Sequence, residues 1–323
     1  MREFGFEQVL CATLERDGDD VLARQLGGGV HDARRVLDVV CVEPGPSFDE
    51  RAAITDRTIP HAAIESDVGR GRARDWRRAV DMPTERARGV VERAVDVGFF
   101  ERDPGAGPEH VRRTCRYPSD WFDRLVAIEN KPDLGAPGDL ETQLRKDVRL
   151  GLVDEVVLAT ASYVTGAHLN RIPEQVGVWE FDPETLDRTV VRDPTPLPVD
   201  EPGVELVDEH PGWTEVGIAT AGAKARARRR LAERAYGKGW RVCEFPGCAR
   251  VRNESVAGGR GVPHCEWKGR VVDPGNECGP ECPGFRSAEP PSVDVAGERD
   301  RRTAWVQDPD GRARRQAGLD RFS

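Results

Sequence analysis

The stretch 124-RLVAIENKPDLG-135 decides how the rest of the chain is read. Leu125, Val126, Ala127 and Ile128 form an apolar run that ends on Glu129, and Lys131 follows two positions later. Side chains alternate along a strand, so Glu129 and Lys131 project to one face and Asn130 to the other. Two opposite charges sharing a face at the end of a buried strand have a plain reading, an ion pair at a fraying edge. They also have a chemical one, a metal-dependent site that cleaves phosphodiesters.

Downstream, PDLGAPG reads as a loop, and 139-DLETQLRKDVRLGLV-153 carries Leu140, Leu144, Val148 and Leu152 on one helical stripe. DEVVLATAS at 154–162 and VGVWEF at 176–181 predict two further strands. Upstream, 34-RRVLDVVCVEPG-45 predicts a strand interrupted by Asp38, and 4-FGFEQVLCATLER-16 spaces Phe6, Val9, Leu10 and Leu14 as a helix. DGDD stops that helix, and GGGVHDA at 27–33 is turn-rich. If the strands holding Asp38 and Glu129 pair, the two acids converge with Lys131 at one sheet edge. Neighbouring carboxylates repel unless a cation lies between them, and their oxygens suit Mg²⁺ or Mn²⁺. A lysine beside such an ion orients or helps deprotonate an attacking water and offsets developing phosphate charge.

A chain of 323 residues is long enough for two or three modules. Its net charge of -9 leaves no overall basic field. Of its 48 basic residues only five are lysine. Abundant Asp and Glu with scarce Lys resemble the composition of proteins from salt-loving archaea, where concentrated salt screens surface charge, so the acidic balance does not exclude a nucleic-acid partner. No apolar run approaches the roughly 20 residues of a membrane span. MREFGFEQVL lacks a signal-peptide pattern. The expectation is a cytoplasmic protein without a membrane partner, its thiols reduced.

Residues 50–118 change character. AAITDRTIPHAAIESD and RARDWRRAV predict short helices, and TERARGVVERAVDVG a clearer one, with Thr84 as a possible N-cap and Gly98 ending it. FFERDPGAGPEHVRRTCRYP then predicts a β-hairpin. Three helices followed by a hairpin are the pattern of a winged helix, with Arg86, Arg88 and Arg93 on the recognition helix and Arg102, Arg112, Arg113 and Arg116 on the wing. Of these, Arg86, Arg88, Arg93, Arg112 and Arg113 are the expected nucleic-acid contacts. Residues 182–220 read as a linker. The basic helix KARARRRLAERAYGKGWR either contacts phosphates or is a solvated helix. With the cysteine cluster that follows it makes up a module at 221–285, and 286–323 reads as a disordered tail.

Cys11, Cys41 and Cys115 stand alone, whereas Cys243, Cys248, Cys265, Cys278 and Cys282 crowd together. In a reducing compartment that crowding reads as metal binding. Cys243, Cys248, Cys278 and Cys282 are the favoured ligands, with Cys265 able to replace one of them. Zn²⁺ or an iron–sulfur cluster would satisfy them. His168 reads as structural, and Trp121, Trp179 and Trp213 as packing residues.

The order helix, strand with Asp, strand ending in Glu-x-Lys, helix, strand resembles the PD-(D/E)XK nuclease superfamily over residues 4–181, with the winged-helix passage removed. IENKPDLG and YVTGAHLNRIP also resemble stretches in a set of proteins of salt-loving archaea. The nuclease resemblance implies an α/β, restriction-endonuclease-like mixed sheet flanked by helices, with 1–49 and 119–181 as its core. It assigns metal binding to Asp38 and Glu129 and the nucleophilic water to Lys131. Gln143 on the following helix and Glu7 on the first match further family positions. The family usually separates the two acids by one hairpin, and an inserted winged helix explains the longer spacing here. Without that insertion the first acid would be Glu109, Asp120 or Asp123. The expected function is Mg²⁺-dependent hydrolysis of DNA, in repair or defence. The alternative is a non-catalytic winged-helix DNA-binding or regulatory protein on the same scaffold.

Overall fold

The computed structural model describes residues 2–31, 35–241 and 244–311, with only the backbone of Glu209. The chain opens with helix α1 (Glu3–Asp17). Phe6, Val9 and Leu10 are buried as their spacing predicts, but so are Glu7, Gln8 and Glu15, because both sides of the helix are covered. Strand β1 (Val21–Gly27) lies within a passage read only for its turns, and pairs antiparallel with β2 (Val36–Pro44). Gln25, with φ of 53°, interrupts that ladder opposite Asp38.

From Pro44 the chain leaves for a second compact unit, Gly45–Trp121 together with residues 305–311. Short helices α2 (Phe48–Ala52) and α3 (His61–Glu65) precede strand β3 (Arg74–Asp75), helix α4 (Trp76–Ala79) and helix α5 (Thr84–Asp96). Thr84 is the first residue of α5 rather than its cap, and Gly98, with φ of 74°, follows its end. Strands β4 (Phe100–Arg102) and β5 (His110–Arg113) complete a three-stranded sheet in the order β3-β5-β4. Trp76, Phe99, Phe100 and Trp121 are buried. Arg51 is fully buried and satisfied locally, donating to the carbonyls of Thr55 and Arg57 at 2.9 Å each.

The first unit resumes at β6 (Phe122–Asn130), antiparallel to β2 with Val39 opposite Ile128. Helix α6 (Leu140–Leu150) crosses over to β7 (Glu155–Thr160), which runs parallel to β6. Helix α7 (Gly166–Leu169) leads to β8 (Gly177–Phe181), parallel to β7, and β9 (Arg188–Arg192) pairs antiparallel at the edge. The result is a mixed six-stranded sheet, β1-β2-β6-β7-β8-β9, flanked by helices. Leu22, Val39, Cys41, Ile128, Val157 and Ala159 turn one face of it toward α1. By alternation Asp38 and Glu129 belong to the other face, toward α6.

Three sequence expectations are corrected downstream. Residues 182–220 are not a linker: they hold β9 and a hairpin of β10 (Gly203–His210) and β11 (Trp213–Ala219). At Gly203 a Cβ would come within 2.0 Å of the Leu150 carbonyl oxygen, so glycine permits β10 to run close to α6. The basic helix α8 (Ala221–Lys238) is not part of a cysteine module but packs on β1, β2 and β6. Its cations hold backbone: buried Lys224 donates to the carbonyls of Pro198 (2.8 Å) and Glu201 (2.9 Å), and Arg228 reaches Leu152 O and Asp154. A small sheet of β12 (Val251–Val256), β13 (Gly259–Cys265) and β14 (Arg270–Val271) follows, then α9 (Pro274–Glu277). Val262 and Val271 join the core shared with α1. Buried Glu15 of α1 accepts from Arg241 at 2.5 and 2.6 Å and from Trp240 at 2.9 Å. The tail read as disordered contains α10 (Val295–Arg302), whose Arg299 donates to the carbonyls of Ala235 and Tyr236. Residues 312–323 lie outside the described residues. Among the described residues no helix is long and apolar enough to cross a membrane.

Candidate functional site

A cleft of about 460 Å³ opens in the first unit where β2, β6, α6 and the β10 hairpin meet. The antiparallel register that sets Val39 against Ile128 makes Asp38 and Glu129 neighbours across two strands, and both line this cleft. Asp38 accepts a hydrogen bond from the Asn130 amide (3.0 Å) and one from Gln25 (3.3 Å). Burial, with little solvent left to carry a charge, raises the Asp38 carboxyl. Burial first, and then the adjacent Asp38 carboxylate, push Glu129 up to about 7.

Gln143, Lys146 and Asp147 of α6 enter the same cleft, three positions on the helical face that begins at Gln143. Gln143 donates to Asp139 (3.1 Å). Arg35 supplies the positive charge at the centre. Its guanidinium lies 2.7 Å from Glu129 and 2.6 Å from Asp147, and its Nε donates to the other Asp147 oxygen at 2.9 Å. Neither Arg35 nor the pair Lys146–Asp147 was singled out in the sequence. The spacing 143, 146, 147 on a predicted helix was the available signal, whereas Arg35 had none, standing in a run of arginines before a strand.

Other expected residues fall elsewhere. Lys131 does not line this cleft. The strand ends at Asn130, and the lysine turns toward α1, its ammonium 2.6 Å from Glu3. It still senses Glu129 electrostatically. Glu7 lies on the opposite face of the sheet, nearly buried, paired with Arg24 and accepting from Asn130 at 2.7 Å. It braces the strand end rather than joining the cleft. The carboxylates raised as substitutes, Glu109, Asp120 and Asp123, do not line it either.

In the second unit, Arg86, Arg88 and Arg93 are exposed on α5, with Arg88 also 5.8 Å from the Trp76 ring centroid. Arg112 pairs with Glu101 and Asp103. Arg113 is turned inward, donating to the carbonyls of Ala63, Ile64 and Ser66 at 3.1, 2.6 and 2.7 Å, which satisfies the end of α3. Trp213, expected to pack, is 59% exposed and stacks on His210 with centroids 4.0 Å apart.

Cys248 and Cys265 are buried beside Val251 and Val272, and Cys278 packs against the same cluster. Cys278 also lies within electrostatic reach of Cys282. Cys243 lies outside the described residues. As placed, no three His, Cys, Asp or Glu side chains among the described residues converge tightly enough to hold a metal.

These features define an α/β protein whose mixed sheet carries a carboxylate-lined cleft, and whose chain also forms a separate helical and β unit. The chain belongs to DUF5787, a family of unknown function, which it matches over residues 21–287. The matched span begins after α1 and includes every cleft residue named above and all five clustered cysteines. No curated protein and no solved structure matches the chain.

Proposed function

We propose that the chain is a Mg²⁺-dependent nuclease of the PD-(D/E)XK kind, hydrolysing phosphodiester bonds in DNA. The observation that carries this reading is the pairing of Asp38 and Glu129 across β2 and β6 in a cleft that α6 completes. The order α1, three antiparallel strands, α6 and then parallel β7 supports it. The donor chemistry suits a hard cation: the lining acids offer oxygen ligands, burial raises both Asp38 and Glu129, which a bound cation would offset, and a guanidinium already bridges Glu129 and Asp147.

In this reading Asp38 and Glu129 hold the ion. When bound, it lowers the pKa of a coordinated water and offsets charge on the phosphate. Gln143 and Lys146 face the reacting group from α6, and Lys146 replaces Lys131 as the lysine nearest the chemistry, since Lys131 is drawn toward Glu3. Arg35, held by Glu129 and Asp147, would offset charge on a phosphate bound in the cleft. The second unit, read as an inserted winged helix from its β3-β5-β4 sheet behind α5, would bind DNA through Arg86, Arg88 and Arg93.

The second reading, a non-catalytic DNA-binding protein on the same scaffold, is favoured by the position of Arg35 between the acids. One experiment separates them. Labelled linear, nicked, branched and single-stranded DNA are incubated in high salt with Mg²⁺ or Mn²⁺, comparing wild type with Asp38→Ala and Glu129→Ala. Metal-dependent cleavage lost in both variants supports the nuclease. DNA binding without cleavage, unchanged in the variants, overturns it in favour of the regulator.

A further inference from the structure

The sheet of β12, β13 and β14 has two faces with different fillings. One joins the core shared with α1 through Val262 and Val271. The other is a separate cluster of four buried residues, Cys248, Val251, Cys265 and Val272, rimmed by Phe245, Cys278 and Phe285. Half of those four buried residues are thiols, and two valines are too little apolar material to fix the loops around them. None of the described cysteines is in a disulfide.

Three of the four thiols sit on tight turns, and Cys278 follows the end of α9. Val251 N–H donates to Cys248 O at 3.0 Å, Gly269 N–H to Cys265 O at 2.8 Å, Cys282 N–H to Gly279 O at 3.0 Å and Phe285 N–H to Cys282 O at 2.9 Å. The Arg286 amide points at the Cys248 sulfur, 3.5 Å away, an orientation that favours a thiolate. An antiparallel bridge between Cys248 and Ser287 brings the chain that follows Cys278 and Cys282 back beside the residues leading into β12. Lys268 and Arg270 stand beside Cys278, and Arg270 also beside Cys265, supplying positive charge where several thiolates would gather.

We propose that Cys248, Cys265, Cys278 and Cys282 bind a single Zn²⁺ that closes this module, independently of any reaction in the cleft. Four thiolates satisfy the tetrahedral preference of zinc, and a lone ion demands least space in a cluster already packed with Val251 and Val272. Because the sulfurs do not yet converge as placed, capture draws them together. Cys278 and Cys282, each only partly buried, are the pair that closes in.

The test uses tag-free full-length protein. Metal analysis is expected to find about one zinc per chain, with little iron and no acid-labile sulfide. Cobalt substituted for zinc should give the intense visible bands of tetrahedral thiolate ligation, which Cys278→Ser and Cys282→Ser lose and Cys115→Ser, in the other unit, keeps. If the serine variants precipitate, the wild type still answers: four thiols should resist alkylation until a chelator is added. Absence of zinc, alkylation of those thiols without a chelator, or an iron–sulfur chromophore would each overturn the assignment.

Discussion

Replacing Glu129 by Gln should stabilise the protein at neutral and alkaline pH. Burial and the neighbouring Asp38 carboxylate raise Glu129 from its ordinary 4.5 to about 7, even with Arg35 2.7 Å away pulling the other way. An acid with a raised folded-state pKa keeps its proton where the unfolded chain has lost it. Stability therefore falls as pH climbs from about 4.5 to about 7 and levels off above. At about 1.4 kcal/mol per unit, the full cost of holding Glu129 ionised in the fold is about 3 kcal/mol. Glutamine keeps the shape without the titration. Urea unfolding midpoints measured between pH 4.5 and 9, at fixed high salt, should show the variant gaining on the wild type up to about pH 7 and running parallel beyond. Saturating Mg²⁺ should narrow the gap above pH 7, because a bound cation favours the carboxylate only in the wild type. A difference between the two proteins that does not vary with pH would refute the argument that Glu129 is held near neutrality.

Lys146→Ala should reduce metal-dependent cleavage by about 100-fold or more, and Lys131→Ala by much less, since only Lys146 lines the cleft; initial rates on the best substrate decide, and equal losses would put Lys131 back at the reacting group. Arg241→Ala leaves Glu15 buried beside Trp240 without its ionic partner and should cost about 3–5 kcal/mol, read from chemical denaturation. Arg113→Ala removes the donor that three carbonyls around the end of α3 share and should cost about 2–3 kcal/mol, while Arg86→Ala on the exposed face of α5 should leave the thermal midpoint nearly unchanged and weaken DNA binding.

Where local pattern and tertiary surroundings agreed, the sequence could be read. The runs that became β2, β6 and β7 are β-branched and bounded by Pro, Gly or charge, and the stripe at Leu140 and Leu144 marked α6, so the order of elements and the meeting of Asp38 with Glu129 followed. The reading failed where packing overrode composition. Residues 188–192 and 203–219 are polar or alternate weakly, yet pair as an edge strand and a hairpin because neighbouring strands supply their hydrogen bonds. The arginines and lysines of α8 look like a solvated or phosphate-seeking face. Which of them cap buried carbonyls depends on loops around Pro198 and Leu152 that no local pattern places beside the helix. Lys131 shows the limit of strict alternation: the rule holds to Asn130, and beyond the last ladder position the side chain follows the nearest opposite charge.

The 90 residues between Asp38 and Glu129 do not strain this arrangement, because the ladder carries the two acids together. Val39 faces Ile128, the pairing continues to Pro44 and Phe122, and the intervening unit begins at the next residue and ends at the one before. That unit closes on itself at its base, where the Gly45 amide donates to the Trp121 carbonyl at 2.9 Å and the Ser47 amide to Asp120 at 3.3 Å. β2 and β6 therefore behave as the arms of one hairpin whose turn has grown into a folded unit. The cost of closing that loop is met by the unit's own core of Trp76, Phe99, Phe100 and Trp121, not by the acids at the far end of the arms. The carboxylates sit at the end of the ladder away from the insertion, where α6 and β10 can approach, which is why the cleft lies wholly within the first unit.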